Sequence, residues 1–163
     1  MEWRMKKSFK DFKLDETWTD HGITETSFDE KKKTLYHGST EPQNFNNFNT
    51  IFLSENKDFS DEYGKYLYKV TIEPTNIFDS TDHKQMEKLF KDNDGKLYDP
   101  YNEEYITFEE YENGSYESDT WEIIEYLGIG YFGNYDCIII TEGGSNINYI
   151  IWDTELIIDV EEL

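Results

Sequence analysis

The stretch 66–73 intersperses Leu67, Val70 and Ile72 with polar residues and stops at Pro74. A side-chain period near two turns one strand face to a core and the other to water, and a proline cannot continue the ladder, so this stretch predicts a strand. The other apolar runs are equally short: 51–54, 135–141, 147–152 and 156–160. Strands of that length cannot stand alone and must share a sheet. Helical spacing appears over 83–91, with Met86, Leu89 and Phe90, and over 121–127, with Trp121, Ile124 and Leu127 on one face behind Ser118, Asp119 and Thr120 as candidate caps. Aromatic residues make up 17% of the 163-residue chain, so one α+β domain with a core rich in rings is expected despite 31% charged residues.

Acidic residues number 36 against 15 basic, a formal charge of −21. Such a surface repels nucleic-acid phosphates and anionic membranes and favours a basic partner, although it equally serves as a plain self-repelling, solvated exterior. Cys137 is the single cysteine and sits in a strand-like run, which makes it an inert core residue. The first residues lack the apolar run of a secretory signal and no stretch is long enough to span a membrane, so a cytoplasmic setting is expected. Residues 1–33 read as an N-terminal extension, with a helix over 7–13, ahead of a main domain over 34–163. Asp92-Asn93-Asp94-Gly95 resembles a calcium loop, but with Gly95 in the glycine position the first and last ligands would be Phe90 and Tyr101, so a tight turn and a hairpin are expected instead. The acidic run at Glu103, Glu104, Glu109 and Glu110 reads as a solvated face, and no metal site is expected.

Chemistry concentrates at Thr34-Leu35-Tyr36-His37-Gly38-Ser39, where a short strand delivers an imidazole to its end and Gly38 permits close approach of another group. The plain reading is that His37 caps the strand and bonds a neighbouring loop. Downstream, Ile51-Phe52-Leu53-Ser54 reads as a buried strand, and a helical turn over 58–63 sets Ser60 and Tyr63 three apart on one face. Two rings and a hydroxyl so arranged could enclose a flat heteroaromatic amide.

These blocks resemble the nicotinamide-binding signature of ADP-ribosyltransferases of the diphtheria-toxin and poly(ADP-ribose)-polymerase branch. Phe52, Ser60 and Tyr63 fall at that family's offsets, and Asn148-Tyr149-Ile150-Ile151-Trp152-Asp153 is similar to its closing strand. The resemblance covers 35–68 and 135–160. It implies a split antiparallel sheet and NAD as substrate. Gly38 and Ser60 would hold the carboxamide, Tyr63 would stack on the pyridine, Phe52 would close the other side, and His37 with the adjacent Ser39 would meet the adenosine ribose. It further implies transfer of a single ADP-ribose to a macromolecular acceptor, with charge favouring protein over nucleic acid. Asn148 stands where the family carries its catalytic glutamate, which removes a negative charge facing the oxocarbenium-like carbon. Glu142 is the nearest acid able to substitute, with Glu155 a poorer candidate. Two rivals follow: an inactive module that binds NAD or ADP-ribose, and an acidic mimic that fills the basic groove of a nucleic-acid-binding protein. The compact size and Asn-rich composition suit a phage or mobile-element effector.

Overall fold

The computed structural model describes residues 31–116, 118–142 and 145–163. In chain order its elements are β1 (Lys33–Ser39), β2 (Ile51–Ser54), α1 (Lys57–Asp61), β3 (Tyr66–Ile72), β4 (Ile77–Asp79), α2 (His83–Asp92), β5 (Lys96–Asp99), β6 (Glu104–Thr107), α3 (Phe108–Glu112), α4 (Thr120–Glu125), β7 (Cys137–Glu142), β8 (Asn146–Ile151) and β9 (Ile157–Glu162). The chain is α+β, with both antiparallel and parallel strand pairs. The described residues divide into two compact units: those up to Thr75 joined by Ile151–Leu163, and those within Asn76–Ile150. The N-terminal extension and its helix over 7–13 lie outside the described residues, apart from 31–33.

The first unit is built on β3. β1 pairs with it antiparallel from Lys33↔Ile72 to Ser39↔Tyr66, and β9 pairs with its other edge from Tyr68↔Glu162 to Ile72↔Ile157, with a register shift at Thr71/Ile72. Because side chains alternate, one face gathers Leu35, Val70, Ile72 and Ile157, each exposed by 1% or less. Burying each contributes about 1.5–3 kcal/mol. β2 meets β1 at Tyr36↔Ser54. The strands expected over 51–54, 66–73 and 156–160 are all present within a residue or two.

In the second unit, β4 and β7 pair parallel, Ile77↔Cys137 through Asp79↔Ile139, and β8 neighbours β7. This departs from the wholly antiparallel sheet expected from sequence. A long connection separates β4 from β7, and a chain returning through several helices can re-enter in the same direction. β5 and β6 form the expected hairpin, Lys96↔Thr107 to Asp99↔Glu104. Helix α2 is capped by Asp82, whose side chain accepts from the Lys84 N–H, and it buries Met86, Leu89 and Phe90 as its spacing predicts. It ends in a Schellman turn: Asp94 takes φ +61° and the Gly95 N–H donates to the Phe90 carbonyl at 2.8 Å, which accounts for the motif that looked like a calcium loop.

Helix α4 buries Thr120, Ile123 and Ile124, whereas Trp121 and Leu127 are half-buried. The expected face was therefore rotated. The capping box of Asp119 and Glu122 starts the helix at Thr120, and the i, i+3, i+4 pattern counted from there selects the residues that turn inward. Under the hairpin, Asp99 is fully buried and accepts from the Ser118 hydroxyl, from the Tyr101 N–H at 3.0 Å and from the Asn102 amide at 3.2 Å. A buried carboxylate is tolerated only when its oxygens are satisfied in this way. No described helix is long and apolar enough to cross a membrane.

Candidate functional site

Two glycines set the geometry of the first unit. A Cβ built on Gly38 would lie 1.7 Å from the Ser60 carbonyl oxygen and 3.3 Å from the Tyr63 Cβ. At Gly64 (φ +155°) a Cβ would lie 2.3 Å from the Ser39 carbonyl oxygen. The end of β1 and the end of α1 therefore interlock, backbone on backbone. The close approach that Gly38 permits is that of the chain's own helix.

That helix is placed by local polar chemistry. The Asn56 side chain accepts from the Asp58 and Phe59 N–H groups at 3.0 and 3.3 Å, and the Asn56 N–H donates to the Ser54 hydroxyl at 3.0 Å. Ser60 is buried, and its hydroxyl donates to the Tyr36 carbonyl at 3.0 Å. Tyr63 follows the helix, 54% exposed, with its ring 5.3 Å from that of Phe59. Ser60 and Tyr63 thus differ in burial although they are three residues apart, because α1 closes before Tyr63.

His37 is half-buried. Its Nδ1 lies 2.9 Å from the Phe52 carbonyl and donates to it as the neutral tautomer, and the Gln43 side chain bonds the same imidazole. Burial lowers its pKa below the ordinary 6.5, and these two hydrogen bonds only partly oppose that. The ring stacks on Tyr68, directly opposite on β3, and meets the edge of Phe45 at 6.0 Å. Phe45 is buried and anchors the Asn-rich loop that follows β1. Tyr68 was not singled out, yet its position in the alternating strand was the signal available. The Ser39 hydroxyl accepts from the Glu41 N–H at 3.3 Å.

Of the residues named from sequence, His37 with Phe52, and Gly38 with Ser60 and Tyr63, are brought into contact within this one unit. Asn148 and Glu142 belong to the second unit. There the Asn148 amide donates to the Glu142 carboxylate. Asn148 is 2% exposed, and its Oδ1 has no hydrogen-bond partner among the described residues. Burial, reinforced by the Asp119 carboxylate, raises the Glu142 pKa above its usual value, and the Asn148 bond opposes the rise. Cys137 is buried and its thiol is pushed up to about 12, mainly by burial, which fits a core role and not a nucleophilic one. No group of three metal-ligating side chains occurs among the described residues.

No family model matches the chain, and no curated protein matches it. Among solved structures, the chain is similar to one described as the crystal structure of an anti-CRISPR protein, at 15% identity and a TM-score of 0.42, over 81% of this chain and 96% of that one.

Proposed function

We propose that the first unit binds the nicotinamide end of NAD and that the chain transfers ADP-ribose from it to a macromolecular acceptor, protein in preference to nucleic acid. The observation that carries the reading is the convergence of Gly38, Ser60 and Tyr63 at the end of β1, with His37 fixed to the Phe52 backbone beside them. A hydroxyl can donate and accept at once, so Ser60 can keep its bond to Tyr36 while its lone pairs accept from a carboxamide N–H. The half-exposed Tyr63 ring offers a face for the pyridine. With Nδ1–H committed to Phe52, the Nε2 of the neutral His37 is an acceptor suited to a ribose hydroxyl.

In the reaction the bond from ribose C1′ to nicotinamide N1 breaks, its electron pair leaves with nicotinamide, and the acceptor nucleophile adds to C1′ as it loses a proton. Orientation and a facing negative charge are what a protein can supply. The family resemblance would assign that charge to Glu142, which accepts from Asn148 within the second unit. The uncharged Asn148 at the family's glutamate position favours a second reading, an NAD-binding module without transfer. The acidic mimic of a nucleic-acid surface rests on charge alone.

Calorimetry with NAD and with nicotinamide tests the pocket. Saturable binding is expected, weakened about tenfold or more by Tyr63→Ala through the lost ring contact. Absence of binding at millimolar ligand would discard both pocket readings. Labelled NAD incubated with the protein and a lysate then separates transfer from binding. Label transfer is expected for the wild type, reduced about 100-fold in Glu142→Gln and increased in Asn148→Glu. If neither the wild type nor Asn148→Glu transfers label, the binding module stands.

A further inference from the structure

The second unit holds a cavity of about 260 Å³ at the carboxyl ends of the parallel strands β4 and β7, where Thr81 follows one strand and Thr141 lies on the other. Carboxyl ends of parallel strands are where open sheets commonly present ligand sites. Its aromatic wall is Tyr111 and Tyr116, stacked with centroids 5.2 Å apart and planes 12° apart. Both phenols remain neutral over the physiological range: burial pushes Tyr111 up to about 12 and raises Tyr116 in the same direction. At the rim, Glu112 meets the His83 Nδ1 at 2.5 Å, and Glu87 approaches the other ring nitrogen at 3.7 Å.

The chemistry of this lining points to a cation with a flat face. No lysine or arginine lines the cavity and its one imidazole, His83, is engaged by Glu112, so a phosphate or a carboxylate would meet hydroxyl donors but also the Glu112 charge. Hydroxyl oxygens, a carboxylate and phenol rings are acceptors and π faces. A guanidinium supplies what they lack: a planar fork of five N–H donors, permanently charged, that stacks on aromatic rings. An ammonium offers three donors and no plane, so it matches less well. A neutral sugar could bond both the hydroxyls and the carboxylate, but it would gain nothing from the formal charge of −21, which favours a cation. We propose that this cavity is a guanidinium-binding site through which the chain holds an arginine side chain of a basic protein partner. This stands whether or not the first unit binds NAD.

Nα-acetyl-arginine amide titrated into the full chain, followed by backbone amide NMR, provides the test. Saturable shifts are expected at Thr81, Thr120 and Thr141 with millimolar affinity, and weaker shifts with Nα-acetyl-lysine amide. Glu112→Gln should weaken binding about tenfold by removing a charge-assisted bond. Tyr116→Leu should also weaken it, and Glu62→Gln, an exposed acid of the first unit, should leave it unchanged. Far-UV circular dichroism checks that each variant is folded. The assignment is overturned if no saturable shift occurs in the millimolar range, if Glu112→Gln and Glu62→Gln bind as the wild type does, or if methyl ribofuranoside binds more tightly than the arginine derivative.

Discussion

The first unit is held by long, in-register strand pairing and by backbone-to-backbone contact at Gly38 and Gly64, whereas the second joins short elements through polar side chains. In the first, Lys33–Ser39 is paired along its whole length with β3, and a single missing Cβ decides whether α1 can seat. In the second, no described strand exceeds six residues, and the buried Ser118 hydroxyl and Asp99 carboxylate tie the hairpin to the segment leading into α4. Added bulk at the end of β1 therefore meets backbone in the first unit, whereas in the second the sensitive point is the loss of a hydrogen-bonding group at a buried carboxylate.

The largest expected effect breaks or confirms that contrast directly. Gly38→Ala places a methyl group on the Ser60 carbonyl, which α1 can relieve only by moving as a body, so a cost of about 3 kcal/mol or more is expected in urea unfolding. Hydrogen exchange should quicken in β1 and α1 and not in β4 or β7. A variant within about 1 kcal/mol of wild type would mean that the interlock is not what fixes the helix. Ser118→Ala comes next. It leaves Asp99 with one donor fewer in a fully buried site and should cost about 2 kcal/mol, with exchange quickening in β5 and β6 instead. A negligible change would show that the Tyr101 and Asn102 bonds suffice.

How much of this could be read from the chain follows the same division. Alternation and Pro74 identified β3 because a strand that buries one face writes that face into its sequence. The burial of Met86, Leu89 and Phe90 was legible for the same reason at helical spacing. Gly38, Ser60 and Tyr63 were grouped through a resemblance in spacing, but what touches Gly38 was not legible, since sequence shows that a glycine permits approach without naming the group that approaches. The parallel pairing of β4 with β7 was not legible, because direction is set by the path of the connection and leaves no pattern in a three-residue strand. The Asp99 network was missed because its members are scattered acids, hydroxyls and amides in a chain full of them, and only burial separates them from solvated copies.

The smallest expected effect sharpens the comparison through pH. His37 has a folded pKa below 6.5, so as pH falls through 6.5 the unfolded chain takes up the proton first. The stability it contributes is fully present above that value and declines below it, until the folded pKa is also passed. His37→Gln should flatten this acid-side slope in urea midpoints measured across the range. A slope that persists unchanged would assign the effect to other groups.

β9 supplies one edge of a ladder whose other members lie before Thr75. During synthesis the ribosome therefore releases β1 and β3 well before their companion exists, while everything from Asn76 to Ile150 has already emerged. The earlier strands must wait with an unpaired border, and Lys69 and Thr71, at alternate positions along it, place polar groups where a stray chain would otherwise attach. The pairing of β9 with β3 should accordingly be among the late steps in reaching the native state, a long-range closure that no local stretch can hasten.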